Sequence, residues 1–120
     1  MNLHEHINQN GVTYGPAKYA LMLKACELMG APPFYTNENV AEPVALVRIF
    51  DPCGSWTWYV EEYDAETGEA FGLVDGHEME LGYFSLKELS EHKGPMGIGL
   101  EVDVWFTPTP ISVLKERGAK

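Results

Sequence analysis

The densest group of residues with potential chemistry is Asp75, His77, Glu78 and Glu80, which fall within six consecutive positions. Carboxylates and an imidazole are ligands that divalent metal ions accept. A zinc or hydrolytic centre normally draws further ligands from other elements, and the other histidines lie at no such spacing. A polar loop between a strand and a helix explains the same residues, because loops are polar for solvation alone. We predict no cofactor and no catalytic residues, and a small metal-dependent or hydrolytic enzyme using these four remains the alternative.

The second pattern is the sign of the charge in the middle of the chain. Nine Asp and Glu residues and no Lys or Arg lie between Ile49 and Leu86, and the net charge of the chain is −10. This charge repels phosphates and anionic lipids, so we predict no direct nucleic-acid binding and no membrane binding. It attracts a basic protein surface instead. The candidate partner-binding residues are Glu61, Glu62, Asp64, Glu66, Glu69, Asp75, Glu78 and Glu80.

The spacing of these carboxylates can be compared with that of DNA phosphates. Side chains on one face of a strand are about 6.6–6.8 Å apart, whereas one DNA strand carries a phosphate about every 3.4 Å. One row of carboxylates is too sparse, but two adjacent rows with the hairpin tip approach that density. We therefore consider a DNA mimic that occupies the basic groove of a nuclease or another DNA-handling complex. The alternative is acidity that only keeps the protein in solution.

A sheet must position these side chains. Residues 44–50 form a nearly continuous apolar run, residues 56–63 alternate, and residues 70–75 are a short apolar return. The polar connection 64–69 contains Gly68, so the second and third runs should form a hairpin. Strict alternation puts Glu61 on the face of Thr57 and Tyr59, and Glu62 on the face of Trp58 and Val60.

Other signals complete the predicted fold. Helices are expected near residues 16–29, 86–92 and 110–117, the second because Ser85 and Glu88 form a capping box. Residues 100–106 alternate as a half-buried strand, Lys18 should lie away from the apolar face of the first helix, and residues 75–80 should be a loop. We predict an α+β fold: a single domain over residues 16–120, with an antiparallel, meander-like sheet of four to five strands. About three short helices should pack on one side of it. Residues 1–15 are expected to form a loose N-terminal arm.

The cysteines and the N-terminus bear on the compartment. Cys26 and Cys53 have neither metal-type spacing nor the pattern of a disulfide framework, which favours a reducing compartment. The N-terminus lacks a basic region followed by an apolar core, and no apolar run approaches the roughly 20 residues of a membrane span. We therefore expect a cytoplasmic protein.

Several segments together resemble a known family. They are SWTWYVEEYD (55–64), FGLVDG (71–76), ELGYFSLKEL (80–89), GPMGIGLEVDVWF (94–106) and TPTPIS (107–112), and PPFYTNEN (32–39) is similar to a proline-then-aromatic segment of that family. The family is the "domain of unknown function 2958" group of small bacterial, plasmid and phage proteins. The resemblance extends from the Pro16 helix to the last helix and leaves out residues 1–14. It implies a compact α+β domain and a mobile-element setting, with no activity and no catalytic residues to carry over.

Overall fold

The predicted hairpin is the centre of the fold. In the computed structural model, which describes residues 2–118, strand β3 (Thr57–Tyr63) and strand β4 (Glu69–Asp75) run antiparallel, and Tyr63 lies opposite Ala70. Gly68, in the connection, has a φ of +79°, which favours glycine. The hairpin and its turn are therefore confirmed.

Three further strands extend this hairpin. The main sheet has the order β5-β4-β3-β2-β6, with β2 at Val47–Phe50, β5 at Met79–Ser85 and β6 at Glu101–Val102. A separate pair joins β1 (Val44–Ala45) to β7 (Thr109–Pro110). The helices are α1 (Pro16–Leu28), α2 (Leu86–Ser90) and α3 (Ile111–Arg117). Over residues 2–118 the fold is thus a single α+β domain with an antiparallel sheet of five strands, as predicted.

One face of the sheet, here the α1/α2 face, carries the main core. The register puts Val60 opposite Val47 on β2 and opposite Gly72 on β4, with Ile49 opposite Val102. These residues pack with helical ones, and the fully enclosed members of this core are Met22, Ala25, Cys26, Val47, Ile49, Val60, Ala70 and Leu86. The hydroxyl of Ser85 accepts a hydrogen bond from the backbone N–H of Glu88, so the predicted cap of α2 is confirmed.

The opposite face, here the α3 face, has a smaller core. Tyr59 and Leu73 lie opposite each other on this face. Ile111 and Leu114 of α3 pack on them, together with Ala45. The prediction that helices lie on one side of the sheet is therefore wrong, because the apolar residues of α3 dock on the side that α1 and α2 leave open. α3 is only two turns long and leaves the part of this face near β5 uncovered.

Two strand predictions also need correction. Residues 75–80 are not one loop, because β5 starts at Met79 and pairs with β4 along its whole length. In the 100–106 segment only Glu101 and Val102 pair with β2. The chain turns at Asp103, whose carboxylate accepts hydrogen bonds from the Trp105 backbone N–H and from the Arg48 guanidinium. The Asp103 backbone N–H still donates to the Arg48 carbonyl, and this local turn ends the pairing to β2 there.

The N-terminal segment is packed and not loose over its described part. Leu3 and Ile7 are buried in the main core. The side-chain amide of Gln9 donates to the Val102 carbonyl and accepts from the Val102 N–H, as a strand neighbour would. The prediction of a loose arm is therefore wrong, because two apolar side chains and one amide fix the segment against α1 and β6.

Lys18 is a further correction, since it is buried on α1 with 1% of its surface exposed. Its ammonium donates to the Gln9 side-chain oxygen at 3.3 Å. No helix within residues 2–118 has both the length and the apolar character that crossing a membrane requires.

Candidate functional site

The eight predicted partner-binding carboxylates do not share one surface. Glu61, Glu62 and Asp75 are buried, with 2%, 5% and 6% exposed. Asp64 is half-buried, and its carboxylate accepts hydrogen bonds from the backbone N–H groups of Glu66 and Thr67 inside the turn. Four side chains remain exposed: Glu66, Glu69, Glu78 and Glu80.

These four are also separated. Glu66 and Glu69 lie at the β3–β4 turn, whereas Glu78 lies at the β4–β5 turn at the other end of the strands. Glu80 pairs with Val74 and so belongs to the opposite face from Glu69. The expectation of one acidic face is therefore wrong, because successive turns of a meander lie at opposite ends of a sheet and neighbouring residues alternate between its faces.

The group at 75–80 is divided by the same geometry. Asp75 is opposite Thr57 on the α3 face, while Glu80 faces the other way. His77 contacts Trp56, the two rings meeting edge to face with centroids 5.3 Å apart. Over the described residues 2–118, no three His, Cys, Asp or Glu side chains come together as a metal ion would need.

A β-bulge in β3 decides the position of Glu61 and Glu62. Val60 pairs with Gly72 and Glu62 with Phe71, so Glu61 is the extra residue. The bulge moves Glu62 onto the α3 face, the reverse of what alternation predicts. A Cβ on Gly72 would lie 1.8 Å from the Tyr59 carbonyl oxygen, so only glycine fits beside the bulge. As a result, both glutamates line the same pocket on the α3 face.

Glu62 has a structural task at this pocket. Its carboxylate accepts a hydrogen bond from the Tyr35 backbone N–H at 3.2 Å and another from the Asn37 backbone N–H at 2.6 Å. Tyr35 has a φ of +69°, a left-handed conformation that is unusual for a residue other than glycine. Glu62 thus holds the 35–37 segment, and with it the Tyr35 ring, at the mouth of the pocket.

Glu61 differs in that no such bond from a described residue reaches its carboxylate. Within residues 2–118 no hydrogen-bond partner is present for its buried Oε2 atom. The pKa of Glu61 is raised from its ordinary value of 4.5 to about 7, chiefly by burial and also by the adjacent Glu62, while Lys115 of α3 opposes both. A buried carboxylate with an unpaired oxygen is costly, and such perturbed groups cluster at functional sites.

The walls of this pocket are apolar and aromatic. We define the glutamate pocket by the residues that line a cavity of about 290 Å³: Tyr35, Asn37, Glu38, Pro43, Glu61, Glu62, Phe71, Leu81 and Tyr83. Tyr83 contacts both Phe71 and Phe34, with ring centroids 5.0 and 5.5 Å apart. Tyr35, Tyr83 and Leu81 remain 70%, 58% and 45% exposed. Contiguous exposed aromatic surface of this kind is typical of interaction sites.

The charges around the pocket are acidic. Glu38 lines it and is exposed, and none of its lining residues is Lys or Arg. Partial desolvation, the Tyr35 phenol, and the carboxylates of Glu62 and Glu69 raise the pKa of Tyr83, which indicates how near these acids are. The pocket therefore combines an aromatic wall with a negative electrostatic potential.

A second cavity, of about 240 Å³, is lined by Lys18, Gln9, Glu101 and the 98–99 backbone. Burial lowers the pKa of Lys18, and the charge of Glu101 opposes that shift. Because Gln9 accepts a hydrogen bond from this ammonium and Glu101 is near it, its charge is compensated within the fold. Lys115 acts on Glu61 as Glu101 acts on Lys18, but within residues 2–118 Glu61 Oε2 has no hydrogen-bond partner, and for this reason we take the glutamate pocket as the candidate site.

Sequence reasoning named Glu61 and Glu62 but not the aromatic residues around them. Tyr35, Phe71, Leu81 and Tyr83 come from three separate segments, and only the strand pairing brings them together. One signal was available. Two consecutive glutamates in a regular strand point to opposite faces, so one of them would enter the main core unless a bulge puts both on the other face. Gly72 in the partner strand was a second, since a glycine inside a strand often marks a bulge.

These features define a small α+β protein with a pocket on the α3 face of its sheet, and this pocket is lined by two buried glutamates and several aromatic rings. The chain belongs to the family described as "Protein of unknown function (DUF2958)", which matches residues 24–119. The match starts within α1 and includes every residue that lines the glutamate pocket. Comparisons with curated proteins and with solved structures find no match.

Proposed function

We propose that this protein binds a basic protein partner through the α3 face and is not an enzyme. The observation that carries this proposal is Glu61 Oε2, a buried carboxylate oxygen without a hydrogen-bond partner among the described residues, at a pocket lined by no base. Such a group is stabilised when a cation approaches it. The exposed aromatic rings at the mouth supply the apolar contact area that protein interfaces commonly use.

The proposed setting follows from the family resemblance. The protein would be a cytoplasmic accessory of a mobile genetic element such as a plasmid or phage, with a role in counter-defence. Its partner would be a nuclease or another DNA-handling protein, because such proteins carry the basic surfaces that phosphates require. The two parallel carboxylate rows of a DNA mimic are not present over residues 2–118, so we propose inhibition by pocket binding and not by copying the DNA backbone.

The enzyme alternative has less support. Asp75 lies on the α3 face, whereas His77, Glu78 and Glu80 line a separate cavity beside Trp56, and the four form no metal-type cluster within the described chain. Glu61 has a pKa near neutrality, as a general acid requires. Its neighbour Glu62, however, is occupied by two backbone N–H groups, so the carboxylate beside Glu61 is not free to act with it.

The test is affinity capture from the native host with matched charge reversals. The site variant is Glu38→Lys with Glu69→Lys, beside the glutamate pocket, and the control is Glu27→Lys with Glu91→Lys, on and next to the helices of the other face. All four side chains are exposed, so both variants should fold and carry the same net charge.

We expect the wild type and the control to capture the same basic protein at low salt and the site variant to lose it. Capture should weaken as salt is raised. If the site variant captures that protein as well as the control does, or if the captured protein is not basic, the proposed function is wrong.

A further inference from the structure

We propose that the glutamate pocket receives a single lysine side chain of the partner, whose ammonium pairs with the Glu61 carboxylate while its stem lies against Phe71 and Tyr83. This inference rests on the proposed function and specifies what the partner must present. It is carried by the size of the pocket, by the chemistry of its walls and by the one accessible oxygen of a buried carboxylate.

Size comes first. The cavity of about 290 Å³ is at the small end of the range of roughly 300–1,000 Å³ for small-molecule and cofactor sites. It suits one long side chain better than a nucleotide or another large cofactor. The exposed rings of Tyr35 and Tyr83 extend the contact outward, so the neighbouring residues of a partner chain would also be covered.

Wall chemistry excludes other occupants. An anion would be repelled by Glu38, Glu61 and Glu62. A purely apolar side chain would fill the space but leave Glu61 Oε2 buried without a partner, which costs free energy. A cation compensates the charge of the Glu61 carboxylate and is attracted to the faces of aromatic rings, while its aliphatic stem covers apolar surface such as Leu81.

The number of free oxygens favours lysine over arginine. Both oxygens of Glu62 already accept backbone hydrogen bonds, so the Glu61 carboxylate is the acceptor that the pocket offers, and because its Oε2 atom is enclosed, a ligand reaches it through Oε1. The planar fork of a guanidinium gains most from two parallel hydrogen bonds to one carboxylate, whereas an ammonium acts as a point charge. A pocket with one available oxygen therefore matches lysine.

The charges that face Glu61 make this binding depend on pH. Glu62 on the same strand and burial favour the protonated form, and Lys115 of α3 favours the ionised form. Glu38 lies on the loop side of the pocket, and the phenols of Tyr35 and Tyr83 lie on its mouth. An entering ammonium adds a positive charge that favours ionisation. Lysine binding should therefore release a proton near neutral pH and weaken as the pH falls below about 7.

The experiment is a nuclear magnetic resonance titration of the full chain, labelled in the side chains of glutamate, phenylalanine and tyrosine. The probes are three capped tripeptides, Gly-X-Gly, in which X is lysine, arginine or norleucine, the last having the same stem without the charge. Glu61→Gln removes the proposed partner, and Glu66→Gln is the control, since it makes the same change at the exposed hairpin tip.

We expect the lysine peptide to lower the Glu61 titration midpoint and to shift the resonances of Phe71 and Tyr83. Glu61→Gln should weaken its binding at least tenfold, and Glu66→Gln should leave it unchanged. Equal binding of the norleucine peptide, stronger binding of the arginine peptide, or full binding by Glu61→Gln would each overturn the lysine assignment.

The two proposals fail separately. If Glu61→Gln captures the basic partner as the wild type does, while the reversal at Glu38 and Glu69 abolishes capture, the partner function stands and the lysine pocket is wrong. If neither variant affects capture, the proposed function itself is wrong.

Discussion

The two faces of the main sheet are built from the same strands but differ in how they are completed. On the α1/α2 face, the apolar side chains of β2, β3 and β4 meet two helices and the N-terminal segment, and members such as Met22 and Ile49 have no exposed surface. On the α3 face, one short helix covers Tyr59 and Leu73, and the rest opens to the glutamate pocket.

The difference shows where stability and function separate in this protein. The α1/α2 face contains the apolar packing that folding requires, and its interior holds one charged side chain, Lys18, with a hydrogen-bond partner. The α3 face buries Glu61 with an unpaired oxygen and leaves aromatic rings exposed, neither of which stabilises the folded chain. Features that folding does not explain are the ones for which binding is the natural explanation.

The largest expected effect tests the packing difference itself. Ile49→Ala on the α1/α2 face should lower the free energy of unfolding by about 2–5 kcal/mol, since it leaves a cavity in a closed core. Leu81→Ala on the α3 face should cost less than about 1 kcal/mol, because Leu81 is 45% exposed. Urea unfolding of both variants measures the two values. Similar losses would mean that the two faces do not differ as described.

The next effect concerns the bulge that puts Glu62 on the same face as Glu61. Gly72→Ala should destabilise the protein by about 3 kcal/mol, since the new Cβ meets the Tyr59 carbonyl and the bulge must rearrange. Gly82→Ala is the control, because Gly82 lies directly opposite Gly72 on β5 and its Cβ would meet nothing within 4 Å. Equal unfolding midpoints for the two variants would contradict the close approach at Gly72.

A smaller effect of opposite sign is expected from Glu61→Gln. Between pH 4.5 and about 7 the folded protein keeps a proton on Glu61, whereas the unfolded chain has already lost it. The stability of the wild type therefore falls as the pH rises through that interval and then levels off. Glutamine does not ionise and avoids this loss. The variant should match the wild type near pH 4 and exceed it by about 1–3 kcal/mol at pH 8, at 1.36 kcal/mol per pKa unit.

Urea unfolding at both pH values measures this difference. A variant that is less stable than the wild type at pH 8 would show that Glu61 is already paired in the folded protein. The glutamate pocket would then not be the open site that distinguishes the α3 face.

The smallest expected effect comes from the neighbouring glutamate. Glu62→Gln keeps one acceptor oxygen but sets an amide nitrogen against a second backbone donor, so it should destabilise the fold by about 1–2 kcal/mol. Amide hydrogen exchange should accelerate at Tyr35 and Asn37 while the N–H of Tyr59 in the sheet stays protected. Unchanged exchange at Tyr35 would mean that the 35–37 segment is held by other contacts.

Much of the fold was predictable because its signals are local. The polar connection with Gly68 identified the hairpin, the Ser85 and Glu88 pair identified the start of α2, and Pro16 identified the start of α1. Each signal depends on a few adjacent residues and needs no tertiary context. Predictions that depended on distant contacts failed, as for Lys18 and for the N-terminal segment, because Gln9 pairs with the distant Val102 and Lys18 lies between Gln9 and Glu101.

The site was predictable only in part. Glu61 and Glu62 were identified as binding candidates from their charge, but on the wrong premise that they are exposed. The partner role of the remaining acids, Asp64, Glu66, Glu69, Asp75, Glu78 and Glu80, stays a prediction, and Glu69 is the one of them that lies near the glutamate pocket. Charge can be counted in a sequence, but the direction of a side chain depends on strand register, and one inserted residue reverses it.

The sequence by itself determined the α+β class, the family, the hairpin and the excess of negative charge, because composition and short-range patterns are sufficient for each of these. Only the tertiary structure decided that the charge is divided between two ends and two faces of the sheet. It also decided that the bulge beside Gly72 puts both glutamates on one face. Strand pairing and the 35–37 segment then add three aromatic rings to the same pocket. The physical reason is that a pocket is made by residues distant in sequence, whose meeting is fixed by strand pairing and by the face that each helix covers.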